Sequence, residues 1–212
     1  MLLDKTLKVI LGGVWVLAVV AGLGVLYDYE NRPGAPASPA GQWPAESRIP
    51  RDPEKHTLVL FAHPWCPCTT ATIGELEILM ARGRGQITAR VLFARPQGSP
   101  ESWEHTALWR SAAAIPGVTV QADQGQVEAA LFGTSASGHA LLYDPPGGLL
   151  FSGGITPARG HAGENAGRRA ILALLGGGGS VRSQTPVFGC DLHNPTAAVF
   201  RAEPSWKKGN TP

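Results

Sequence analysis

The chain has 212 residues and a mass of 22.2 kDa; 43% of its residues are hydrophobic, 16% charged and 7% aromatic. A net charge of +2 excludes a polyelectrolyte that grips nucleic acid. The apolar content excludes a wholly disordered chain, and three cysteines are too few for a disulfide-stapled miniprotein.

Residues 9–27 form an uncharged block, VILGGVWVLAVVAGLGVLY. At about 1.5 Å per residue, it spans roughly 28 Å, close to the hydrocarbon thickness of a bilayer. The block is apolar on every face, which is taken to argue against a buried helix of a soluble domain. Trp15 lies inside it, and Tyr27 and Tyr29 sit at its exit, where interfacial aromatics are common. Lys5 and Lys8 precede it, and Asp28 and Glu30 follow. The positive-inside bias keeps the short N-terminus cytoplasmic and exports the rest. The block is longer than a signal-peptide core and lacks a clean A-x-A site, so it reads as an uncleaved anchor. Residues 1–30 are therefore assigned to a membrane anchor.

Residues 31–55 carry Pro33, Pro36, Pro39, Pro44, Pro50 and Pro53. Such a stretch is expected to be a semi-extended spacer without helix or sheet ladders. Residues 56–176 are read as one folded domain. Residues 57–62 (TLVLFA) form a short apolar run, expected to be a buried strand. Apolar Ile73, Leu76 and Met80 make residues 69–82 a helix, with Thr72 and Glu75 at capping-box spacing. Residues 87–94 are a second strand, 103–115 a helix, 118–121 a strand and 126–132 a short helix. Residues 140–143 and 149–152 flank Asp144-Pro-Pro-Gly-Gly, strong turn chemistry that predicts an antiparallel hairpin. Residues 164–175 form the last helix, stopped by Gly176. The order β-α-β-α-β-α-β-β-α predicts an α/β three-layer sandwich with a mainly parallel sheet. The run GGGGS at 176–180 opens a break and a flexible polar tail, 177–212, ending in Lys207, Lys208 and Pro212.

The first strand leads into His63-Pro64-Trp65-Cys66-Pro67-Cys68, and a helix follows. Unpaired amides and the helix dipole at such a position favour a thiolate. A thiolate serves both disulfide exchange and soft-metal binding. His63 offers a positive charge or a proton, and Trp65 shields one side.

Strand, Trp-Cys-Pro-Cys and helix together resemble the thioredoxin superfamily. The helix–strand insertion before the hairpin is similar to the membrane-tethered TlpA/ResA branch. Leu142-Tyr143-Asp144, Phe151-Ser152-Gly153-Gly154-Ile155 and Gly160-His161-Ala162-Gly163 extend the likeness to a RedB-type bacterial group, over roughly residues 57–175. The resemblance implies a thioredoxin-like fold and thiol–disulfide exchange, with Cys66 attacking, Cys68 resolving, Pro67 holding the turn, and His63 and His139 tuning thiol acidity. Two departures stand out. The spacing is Cys-x-Cys, so a Cys66–Cys68 disulfide would close a small strained ring. The family's cis-proline position aligns with Gly138, followed by His139; glycine does not enforce a cis bond as proline can.

Cys190 lies beyond the glycine break. It is either a resolving thiol that folds back onto Cys66 or an unpaired cysteine in a tail. His161 sits in a glycine-rich loop. Cys66, Cys68, His139 and His161 form an alternative soft-metal set suited to copper. Otherwise no cofactor is expected. The leading expectation is an enzyme: a thiol–disulfide oxidoreductase tethered to a bacterial inner membrane, with its domain periplasmic or extracytoplasmic. Its partners would be protein thiols and disulfides of the cell envelope, the membrane itself, and no nucleic acid. The alternatives are a Cu(I)-handling protein and a non-catalytic thioredoxin-fold module that docks an envelope partner.

Overall fold

A computed structural model describes residues 2–83, 85–100, 102–177 and 184–193. The chain divides into two units, Met1–Arg32 and Pro33–Pro212. The first is one helix, α1 (Leu2–Asn31), which extends past the uncharged block at both ends, where neither residues 2–8 nor 28–31 include a proline. Its side chains from Lys5 to Tyr29 are all exposed. The Asn31 side chain donates to the Tyr27 carbonyl at 2.8 Å and satisfies one orphan acceptor of the last turn.

The second unit is built on β1 (His56–Ala62), α2 (Thr69–Gly83), β2 (Ile87–Arg95), α3 (Ala107–Ala113), β3 (Val118–Gln124), α4 (Val127–Leu131), β4 (His139–Tyr143), β5 (Leu149–Gly154) and α5 (Ala166–Leu175). The five strands form one sheet in the order β3-β2-β1-β4-β5. β1, β2 and β3 run parallel; β4 is antiparallel to β1, and β5 to β4. This is the thioredoxin-like α/β arrangement expected from the sequence, except that the sheet is evenly mixed and not mainly parallel: two strand pairs are parallel and two antiparallel. The Asp144 carboxylate closes the hairpin by accepting from the amides of Gly147 and Gly148 at 2.8 and 2.6 Å, with Gly147 at φ +104°.

Alternating side chains divide the core in two. Leu58, Leu60, Val91, Phe93, Leu142 and Phe151 face α2, α3 and α5. Val59, Phe61, Leu92, Leu141 and Tyr143 face the other way, against Ala129, Phe132, Ile49 and Leu192. Among the described residues, that second face has one helix, α4, which is five residues long. The rest of its cover comes from non-helical chain at both ends of the unit.

This arrangement corrects the spacer expected for residues 31–55. Prolines bar this segment from regular ladders, but they do not stop it from packing. Trp43 stacks edge-on against Phe132 and Tyr143 at 5.1 and 5.2 Å, and Ile49 is buried. The Trp43 amide donates to Gly147 at 2.8 Å, Gln42 bridges Gly148, and Tyr143 donates its hydroxyl to Ala40 at 2.8 Å. The Glu128 carboxylate accepts from the Ser47 hydroxyl at 2.7 Å and the Arg48 amide at 2.9 Å.

Two local expectations also change. The helix expected over 103–115 begins only at Ala107, because Trp103 and Glu104 are buried in a turn that precedes it. Glu75 does not close a capping box with Thr72. It is buried and accepts from the Gly163 amide at 2.6 Å, from Asn165 at 3.0 Å and from Arg168, joining α2 to the start of α5. Asn165 itself caps α5 by accepting from the Arg168 amide at 2.7 Å.

At the other end, residues 184–193 return to the domain instead of trailing from it. Gln184 bridges Ser152 in the parallel sense along the β5 edge, and the Gly154 amide donates to Pro186 at 3.2 Å. The remainder of the expected tail, with Lys207, Lys208 and Pro212, lies outside the described residues, as does most of the GGGGS run.

Trp43→Ala is expected to lower the unfolding free energy of the protein by about 2–3 kcal/mol. Urea denaturation measures it, and a free spacer would give no change.

Candidate functional site

Strand β1 ends at Ala62, and the chain turns through residues 63–68 before α2 begins. The Cys66 amide donates to the His63 carbonyl at 3.1 Å, and the Thr69 amide donates to the Cys66 carbonyl at 3.1 Å. These two tight turns hold Cys66 just ahead of the helix. Cys66 is only 1% exposed, and Cys68 is also buried. Trp65 lies over the turn with 39% of its surface exposed and packs edge-on against Trp103 at 6.0 Å. Pro67, between the cysteines, is exposed.

The Cys190 sulfur lies against that of Cys66. The two Sγ atoms are 2.9 Å apart, closer than ordinary non-bonded contact, and all three cysteines are free thiols. The chain around Cys190 is held by backbone pairing. Ala136 and Asp191 form an antiparallel bridge: the Ser137 amide donates to the Cys190 carbonyl at 2.7 Å, and the Leu192 amide donates to Ser135 at 2.8 Å. The Arg159 guanidinium donates to the Gly189 carbonyl at 2.7 Å. Leu192 is buried in the core on the α4 side.

The electrostatics separate the three thiols. Hydrogen bonds from the Cys190 and Cys68 side chains, the Cys190 backbone and Thr69 push Cys66 far below the usual thiol range, against the opposing effect of burial. Cys190 is pushed up, because it hydrogen-bonds Cys66 and Cys68 and would lose its proton beside the Cys66 charge. Cys68 feels a lowering hydrogen bond from Cys190, but its hydrogen bond to Cys66, burial and the Cys66 charge outweigh it and raise it. One thiolate with two protonated neighbours is the result.

His63 does not supply the positive charge expected of it. Burial lowers its pKa more than the Cys66 and Asp191 charges raise it, so the ring is neutral near pH 7. Its Nδ1 accepts from the Trp65 amide at 3.2 Å, which leaves the proton on Nε2. The His63 amide donates to the Ser137 hydroxyl at 2.8 Å, and that hydroxyl lies 2.8 Å from Thr69 Oγ1. Gly138 has φ +88° and donates its amide to Phe61 at 2.7 Å, fixing the loop that carries Ser137.

His139 points elsewhere. Its Nε2 lies 2.8 Å from the Ser152 hydroxyl, and burial pushes its pKa down to about 4. It is absent from the groups that act on Cys66. His161 is exposed on the loop between β5 and α5. The alternative metal set of Cys66, Cys68, His139 and His161 is therefore not assembled. Among the described residues, no group of three or more His, Cys, Asp and Glu side chains is arranged to hold a metal ion. The sequence reading missed Thr69, Ser137, Arg159 and Asp191. Ser137-Gly138 before a strand was a visible signal for the loop; nothing local marked the other three.

No family model and no curated protein matches the chain. Solved structures do. A hypothetical protein from Sinorhizobium meliloti is 21% identical, covering 73% of this chain and 94% of its own, with a TM-score of 0.59. An uncharacterised conserved protein from Geobacillus kaustophilus is 15% identical, covering 77% and 90%, with a TM-score of 0.53. A secreted Mycobacterium tuberculosis disulfide oxidoreductase homologous to Escherichia coli DsbE is 15% identical, covering 58% and 82%, with a TM-score of 0.42.

In the reduced protein, ultraviolet thiolate absorbance is expected to show one thiol still ionised well below neutral pH, protonating only as pH falls through the depressed Cys66 pKa. Cys190→Ala removes a charge-assisted hydrogen bond worth about 1.5–3 kcal/mol and should move that midpoint up by about one to two units.

Proposed function

We propose that the protein is a membrane-tethered thiol–disulfide oxidoreductase in which Cys66 is the attacking thiolate and Cys190 the resolving thiol. The observation that carries this reading is the 2.9 Å contact between their sulfurs, with Cys66 acidified by its neighbours. Cys66 attacks one sulfur of a protein disulfide. That S–S bond breaks, the leaving sulfur departs as a thiolate and takes up a proton, and a mixed disulfide remains on Cys66. With Cys66 tied up in the mixed disulfide, its hydrogen bond with Cys190, the largest cause of the raised Cys190 pKa, and its negative charge no longer hold the Cys190 proton. Cys190 gives up its proton, attacks the Cys66 sulfur and releases the substrate's second thiolate. The substrate gains two electrons and two protons, and a Cys66–Cys190 disulfide is formed; the reverse sequence donates a disulfide.

Cys68 keeps a supporting place. Its hydrogen bond to Cys66 stabilises the thiolate, and its raised pKa keeps it protonated while Cys66 is charged. Pro67, between the two cysteines, holds the turn that leads into α2, and Trp65 covers the outer side. The α1 helix, long and apolar with every described side chain from Lys5 to Tyr29 exposed, supports a single-pass anchor. Lys5 and Lys8 on one flank and Asp28 and Glu30 on the other favour an extracytoplasmic domain. The substrates are then thiols and disulfides of envelope proteins.

Peptide mapping of the oxidised full-length protein under non-reducing conditions is expected to yield a Cys66–Cys190 cross-link. Cys66→Ser should abolish insulin-disulfide reduction, whereas Cys190→Ser should accumulate mixed disulfides on Cys66. Undiminished exchange by Cys66→Ser would sink the proposal.

A further inference from the structure

Cys66 is out of reach of any polypeptide while Cys190 lies on it. The segment that carries Cys190 is therefore both the covering of the site and a sample of what fits there. It docks through one isolated antiparallel bridge, Ala136–Asp191. Cys190 and Leu192 point inward, one to the Cys66 sulfur and the other into the core beside Phe61 and Phe132, while Asp191 is exposed between them. Its backbone pairs with residues 135–137 through the two amide bonds described above. Gly189, just before the cysteine, passes so close to Ser137 that a Cβ built on it would lie 1.7 Å from the Ser137 carbonyl oxygen and 2.8 Å from the carbonyl carbon. Those are backbone atoms and cannot swing aside as a side chain would.

We infer that residues 188–192 are a built-in mimic of the substrate, and that the loop at 135–137 selects polypeptides reading Gly-Cys-x-apolar. The inference deepens the exchange reading and rests on it. Recognition is through the backbone: main-chain bonds to Ser135 and Ser137 provide register, and the alternate side chains provide selection. The residue before the cysteine must lack a Cβ. The residue two after it fills the cleft that Leu192 occupies. Substrate and Cys190 segment use the same backbone groups, so they bind in turn. The segment lifts to admit a disulfide, and its return both resolves the mixed disulfide and displaces the substrate from its main-chain partners.

The test uses reduced full-length protein in detergent and four cysteine peptides, each linked through its sulfur to thionitrobenzoate: Gly-Cys-Asp-Leu, Ala-Cys-Asp-Leu, Val-Cys-Asp-Leu and Gly-Cys-Asp-Ser. Attack by Cys66 on the peptide sulfur joins the peptide to Cys66 and releases coloured thionitrobenzoate. The glycine peptide with leucine is expected to react at least tenfold faster than the valine peptide and several-fold faster than the serine one. Equal rates for all four overturn the inference while leaving exchange intact. Failure of every peptide, and of the symmetrical disulfide of thionitrobenzoate as well, overturns the exchange reading and this one with it. In the chain itself, Gly189→Val should undock the segment and raise the rate of Cys66 alkylation at least tenfold. Leu192→Ser removes the anchor without introducing a clash and should raise the same rate. Unchanged alkylation in both variants also overturns the inference.

Discussion

The site depends on one contact: a buried sulfur that carries negative charge and is solvated by protein hydrogen bonds instead of water. Burial alone would hold Cys66 protonated. His63 gives no compensating charge, since its own burial keeps it neutral. Dipoles remain, and they come from two directions. Thr69, at the start of α2, supplies one from the domain. The Cys190 thiol and backbone amide supply others from a segment far away in sequence. The acidity of Cys66 is thus a property of the docked C-terminal segment as much as of the turn that holds Cys66. A polar group this deeply buried is expensive when a partner is missing, so docking and ionisation favour each other.

The docking follows from how the sheet is covered. Three helices, α2, α3 and α5, pack on one face, while the other has the five-residue α4. The apolar side chains on that second face, Phe61, Leu141 and Tyr143 among them, need more cover than one helical turn provides. Trp43 and Ile49 arrive from the N-terminal side and Leu192 from the C-terminal side. The proline-rich stretch is well suited to this task. An extended chain covers more surface per residue than a helix, and its main-chain groups are satisfied at Gly147, Phe132 and Gly133. The same demand for cover brings Cys190 over the turn that holds Cys66.

Much of this was legible in the sequence, and the reason differs by element. Strand β1 announced itself by an apolar run, α2 by the spacing of Ile73, Leu76 and Met80, and the hairpin by Asp144-Pro-Pro-Gly-Gly. Local chemistry sufficed for each. Cys66 and Cys68 were legible as a pair because a strand-to-helix turn is a local feature. The partner of Cys66 was not, since Cys190 lies 124 positions away and its approach is set by the burial of Leu192 and the pairing of residues 135–137. Glu75 misled for the same reason. At capping spacing from Thr72, it is instead bound to α5, some ninety positions on. Prolines misled in another way: they rule out ladders, and ladders are not the only way to pack.

The docked segment also acts on the redox balance from both sides. By stabilising the Cys66 thiolate, it lowers the energy of the reduced state and makes any disulfide at Cys66 more oxidising. By holding Cys190 beside Cys66 without a bond, it prepays much of the entropy of closing so long a loop, which favours the disulfide. The first effect works through the sulfur hydrogen bonds, and the second through Leu192, Gly189 and the Ser135 and Ser137 backbone. These are separate sets of contacts. A change at Leu192 or Gly189 weakens closure and, by undocking Cys190, the charge as well, whereas a change at Thr69 touches the charge alone. The position of the equilibrium is therefore set by how tightly one strand of backbone lies on another, at a distance from the sulfurs themselves.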